Sequence, residues 1–162
     1  MPPALELLER FLAEYPDDIQ IAQAEHQRAQ CYESLRDTVR ATESYRAAIE
    51  AERRRPNVGT EATLDFALLV AEQKLVSLFE EVSALLREHP ETRRPFPVQR
   101  FKYHAARALL ASHAGEPAAK TEAARALTEA EATESGFRYH ADLGLVGERH
   151  QFLRRRLEAI AA

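Results

Sequence analysis

The chain is short of the residues that build sheets, disulfides and membrane spans. Its 162 residues include one cysteine, five glycines and no tryptophan. A lone cysteine, Cys31, excludes an internal disulfide and any cysteine-based metal site, and inside a predicted helix it reads as a structural thiol. Valine and isoleucine together number 11, too few for a sheet protein. No run approaches the roughly 18 consecutive apolar residues of a membrane helix. The start, Met1-Pro2-Pro3-Ala4-Leu5-Glu6, lacks the basic and apolar stretches of a signal peptide, so a cytoplasmic protein is expected. A net charge of −4 argues against nucleic acid as the main partner. Lysine is scarce too, three against 19 arginines, the ratio of a GC-rich, bacterial coding sequence.

What is present is alanine and leucine, 29 and 19 residues, mixed with glutamate and arginine. That is the composition of packed helices, and the length suits one domain of roughly 100–200 residues. Proline and glycine punctuate the chain into about seven helices. Pro2-Pro3 opens the first, with Leu5, Leu8, Leu12 and Tyr15 on one face. The second runs to about Leu35. The third carries Ala41, Tyr45, Ala48 and Ile49 inward and ends at Arg53-Arg54-Arg55-Pro56, and these pieces form an N-terminal half, 1–56. Over 60–88, Leu64, Leu68, Ala71, Leu75, Leu78, Val82 and Leu85 alternate four and three apart, which predicts one long central helix. Such a seam is either covered by the same chain or is the contact of a homodimer. A C-terminal hairpin follows over 98–132, broken at Gly115 and Pro117. Residues 135–147 hold three glycines and are predicted non-helical, and a capping helix closes 148–162.

The helices recur in pairs. Ala29 and Tyr32 precede a short turn at Asp37, and Ala41, Tyr45 and Ala48 follow at small–aromatic–small spacing. Ala4, Leu8, Phe11, Leu12 and Pro16 repeat the second half of that pattern. Tyr103, Ala106, Leu110, Ala119, Ala123, Ala126 and Leu127 repeat most of it, with Arg107 at a position for a small residue. Over about half the chain this resembles the tetratricopeptide repeat, a helix–turn–helix unit of roughly 34 residues. The resemblance departs at Glu25, where the family has a large apolar residue.

The resemblance implies an all-α, right-handed superhelix of antiparallel helix hairpins, a single domain over 1–162. It also implies a non-enzymatic module that holds a peptide or partner protein in a concave groove. Carried onto this chain, the groove is lined by Gln23, His26, Gln30 and Glu33 from one unit and by Phe101, His104 and Ala108 from another. No cofactor is implied. The six histidines include no His-x-x-x-His pair, so no metal site is expected.

Two other readings stay open. One is an enzyme or small-molecule sensor with a pocket under 135–147, using His140 or His104 as acid and base. The other is an RNA-binding regulator using Arg53–Arg55, Arg93–Arg94 and Arg154–Arg156 beside Arg100, Phe101 and Tyr103. Phe101-Lys102-Tyr103-His104-Ala105 also recurs as Phe137-Arg138-Tyr139-His140-Ala141. The second copy precedes glycines, so it reads either as a cap over the end of the stack or as a binding edge.

Overall fold

A computed structural model describes residues 2–91 and 94–162. Among them are eight α-helices and no strand. They are α1 (Pro3–Glu14), α2 (Ile21–Ser34), α3 (Thr38–Arg54), α4 (Ala62–Glu72), α5 (Phe79–Glu88), α6 (Pro97–His113), α7 (Ala118–Ala130) and α8 (Gln151–Ala161). None is long and apolar enough to cross a membrane. The chain forms two compact units, one ending at Phe66 and one spanning Ala67–Ala162, with the division inside α4.

In the first unit α2 packs chiefly on α3, and α1 packs on α2. Ala29, Ala41 and Ala48 are completely buried, and their missing side-chain bulk lets the two helix backbones close on each other. Tyr45, also completely buried, fills the remaining space, and its ring stacks on Phe66 at 5.9 Å. The turn between the helices has a specific stop. Arg36 adopts φ 59°, its N–H bonds Glu33 O at 2.8 Å, and the Asp37 N–H bonds Tyr32 O at 2.9 Å. Those two bonds satisfy carbonyls that the ending helix leaves open. The Asp37 carboxylate then accepts from the Arg40 N–H at 3.0 Å and caps α3.

In the second unit α6 and α7 form the dominant hairpin, and α8 packs on both. The same kind of stop ends α6. Gly115 takes φ 69° while the Glu116 N–H reaches back to Ala111 O at 2.9 Å. Phe101, Ala105, Ala106, Ala108, Ala123, Ala126 and Leu157 are completely buried and make the core.

The long central helix is two helices, so the described residues hold eight α-helices rather than seven. The segment 60–88 breaks after Glu72 at a third stop of this type. Lys74 sits at φ 55°, and the Leu75 N–H bonds Val70 O at 3.0 Å. A short 3₁₀ turn, Val76–Leu78, leads into α5. The heptad spacing hides the break because Lys74, unlike a glycine, gives no warning of a left-handed residue. Most of the seam is covered. Leu64, Leu68, Ala71, Val82 and Leu85 are buried in the chain itself, and Leu75 and Leu78 are half-buried.

Candidate functional site

Gln23, His26, Gln30 and Glu33 fall three, four and three apart on α2, so they share one stripe. The stripe is spent on the protein's own groups. His26 is buried, with Nε2 2.8 Å from Asp65 Oδ2. The exposed Gln30 amide donates to the same oxygen at 3.1 Å. With the ring donating from Nε2, His26 Nδ1 stays buried with no hydrogen-bond partner among the described residues. The Tyr45 hydroxyl donates to Glu33. Burial first, then the Glu33 and Asp65 carboxylates, push that phenol far above its ordinary range. Gln23 is half-buried.

The second set is internal as well. Phe101 and Ala108 have no exposed surface; they belong to the core and line no groove. His104 is 2% exposed, with Nδ1 2.7 Å from Glu122 Oε2 and Nε2 3.2 Å from Glu91 Oε2. Glu122 is itself 5% exposed and takes Arg107 on its other oxygen at 3.0 Å. Arg107 also donates to the Tyr103 hydroxyl at 3.0 Å. The departure from the repeat pattern at Arg107 is thus the counter-charge to Glu122.

Local spacing does not identify the carboxylates that partner both histidines. A signal for them existed. Asp65 is the one acid inside the apolar run Ala62–Ala71, and Glu122 interrupts the inward stripe Ala119, Ala123, Ala126. A lone acid on a buried stripe needs a partner, and in each case the partner is a histidine.

Glu25 follows the same logic. It is 9% exposed and pairs with Arg28 at 2.7 Å. Burial pushes its carboxyl above the ordinary value, and Arg28 opposes that shift. The folded state therefore binds this proton more tightly than the unfolded chain does. The destabilising charge is absent in acid and sets in as the pH rises through the carboxylate range. Glu25→Leu is expected to raise stability at neutral pH by about 1 kcal/mol, with the gain shrinking in mild acid. Urea titrations of both proteins across that pH range check it. Arg28 keeps a partner in the variant, since its Nε donates to Ser44 at 3.1 Å.

The arginine clusters are largely matched internally. Arg53 and Arg54 lie near Glu50 at 4.0 and 3.7 Å, and Arg55 donates to Asp17 O. Arg94 bonds His89 O at 2.7 Å and lies over Tyr103; Arg93 falls outside the described residues. Arg100 pairs with Glu129 at 2.8 Å and Arg156 with Glu72 at 3.8 Å. Among the described residues no group of three or more His, Cys, Asp or Glu could hold a metal ion. Cys31 is half-buried.

The recurrent pentapeptide has two fates. Its first copy lies in the buried middle of α6, and its second is a surface turn. Ser135 closes that turn, donating to His140 O at 2.8 Å and accepting from the Phe137 N–H at 3.3 Å. Phe137 stacks on Phe96 at 4.9 Å, while His140 and Tyr139 are exposed.

The second unit also contains an open cleft of about 400 Å³ between α5, α6 and α7. Phe79, Leu86, Leu110, Ala111 and Ala114 supply its apolar surface. Arg87, Arg107, Glu80 and Glu116 supply charge of both signs, and Glu122 reaches it from α7. No family model, curated protein or solved structure matches the chain.

Proposed function

We propose that the chain is a non-enzymatic protein-interaction module of the tetratricopeptide-like kind that holds a peptide segment of a partner protein. The α5–α6–α7 cleft carries this reading. Its volume lies in the range of about 300–1,000 Å³ over which pockets take up ligands, enough for one or two anchoring side chains of an extended peptide. Its apolar surface is bordered by paired charges, which suits a segment with an apolar anchor and polar flanks. The site rests on helices, so little ordering cost falls on the protein when it binds. Two tight hairpins, each turned at a left-handed residue, support the repeat-like reading. A cytoplasmic setting accords with it.

The test is selection of peptides from a displayed random library on the purified protein, followed by affinity measurement. Ala114→Trp fills the cleft from an exposed position and should weaken the selected peptides at least about tenfold, the cost of losing an anchor contact, with an unchanged melting temperature. If no peptide is enriched, or if enriched peptides bind Ala114→Trp as tightly as the wild type, the reading is wrong.

A further inference from the structure

His104 is bracketed by two carboxylates from different segments. Its Nδ1 lies 2.7 Å from Glu122 Oε2 on α7, and its Nε2 lies 3.2 Å from Glu91 Oε2, just beyond the end of α5. A neutral imidazole has one N–H and one bare nitrogen. If it donates to one of these carboxylates, its lone pair faces the other, and two acceptors are in contact. The bracketed geometry therefore calls for a proton on each ring nitrogen. The two partners differ in what they lose when one proton leaves. The Glu122 side chain is 6% exposed and that of Glu91 42%. Glu91 can exchange the ring for water, whereas Glu122 would lose a hydrogen bond in the interior.

We propose that Glu91 and His104 form a proton-dependent latch on the segment joining α5 to α6. It is closed while both ring nitrogens carry protons. As the pH rises through the imidazole's titration, the Nε2 proton passes to water, Nδ1 keeps its bond to Glu122, and Glu91 is released. In acid, protonation of Glu91 removes the charge from the contact, so the closed form occupies the window between the two titrations. The charged groups nearby are engaged with other partners. Arg107 and Arg125 attend Glu122 at 3.0 and 3.6 Å. Arg94 lies over the Tyr103 ring, which meets His104 edge-on at 5.3 Å. Arg87 of α5 is paired with Glu80, and Arg156 of α8 with Glu72. The far end of the segment has its own anchor, since Arg100 donates to the carbonyls of Arg94 and Pro95 at 3.1 and 3.0 Å. Release is thus confined to the part around Glu91, where the Arg94 N–H bonds Glu91 O at 2.9 Å. The latch does not depend on what the α5–α6–α7 cleft holds.

Amide hydrogen exchange of the full chain at the Arg94 N–H, corrected for the intrinsic rate at each pH, tests this. Two variants set the limits. Glu91→Gln can accept from a protonated Nε2 and donate to a bare one, so it stays closed in both states of the ring. Glu91→Ala is always open. The two should differ about fivefold in exchange rate, the scale of a partly exposed ion pair. The wild type should match Glu91→Gln on the acid side of the His104 titration and Glu91→Ala on its alkaline side. Nitrogen NMR of the ring should show both nitrogens protonated in the closed range and Nδ1 alone in the open one. His89 is common to all three chains, so its own titration cancels from the comparison. A wild type that keeps a constant ratio to both variants across the His104 titration overturns the proposal. So does a bare ring nitrogen while exchange still matches Glu91→Gln. If the two variants exchange alike, Glu91 holds nothing and the latch is refuted.

Discussion

Glu122→Leu is expected to cost about 3–5 kcal/mol, the price of breaking a buried ionic network from one side. A domain of this kind has roughly 5–15 kcal/mol in total, so the variant would sit near its unfolding threshold. The Glu122 carboxylate is almost entirely buried and receives His104 at 2.7 Å, Arg107 at 3.0 Å and Arg125 at 3.6 Å. A leucine there leaves an imidazole nitrogen buried without an acceptor and withdraws the nearest counter-charge from Arg107. Replacing His104 as well, by leucine, removes the orphaned donor. The double variant should then be less destabilised than the sum of the singles by at least about 1 kcal/mol, the coupling expected of residues in one network. Urea unfolding of the four proteins gives that number. An additive pair would mean that His104 and Glu122 are independent.

Gly144→Val is expected to detach the segment 135–147 from the start of α6. A side chain at 144 would begin 2.5 Å from the Phe96 ring, closer than atoms approach. The backbone there is also left-handed, with φ 73°. The conformational cost is about 1–2 kcal/mol, and relieving the clash adds about 1–3 kcal/mol. The Val98 N–H, which donates to Gly144 O at 2.8 Å, should lose protection from hydrogen exchange. Gly136, at φ 83° with open space around it, supplies the control. Gly136→Val should show the conformational cost without the clash. Removing the ring and its Cβ by Phe96→Gly should make the 144 substitution markedly less harmful, because the Phe96 Cβ would itself stand 2.7 Å from the new side chain, and failure of that rescue would remove the steric account.

Much of the fold could be read from alanine spacing and punctuation. Ala29, Ala41 and Ala48 mark the closest approach of α2 and α3, and Asp37 caps α3 as its position between two periodic runs suggests. Gly115 ends α6 for the reason glycine is used at helix ends. The break at Lys74 was not legible. It lies in a left-handed backbone at a lysine, closed by the Leu75 N–H bond to Val70 O, and lysine carries no sign of it in the sequence. The surroundings of the two histidines are hidden in the sequence for a related reason. Periodicity places His26 and His104 on a helix face, but a polar stripe looks the same whether it meets a partner or a carboxylate of its own chain. Those carboxylates come from 39 and 18 residues away, a separation that local spacing does not encode. The α5–α6–α7 cleft depends on where three helices end up, so no single segment announces it.

The central claim, that partner peptides anchor in this cleft and not along the histidine stripes, has one direct measurement. A library-selected peptide is titrated into isotopically labelled protein while backbone amide and methyl resonances are followed. The account predicts the largest shifts at Ser83, Leu86, Leu110, Ala111 and Ala114, with Gln23, His26 and Gln30 unmoved. Shifts concentrated on α2, or on residues 135–147, would contradict it.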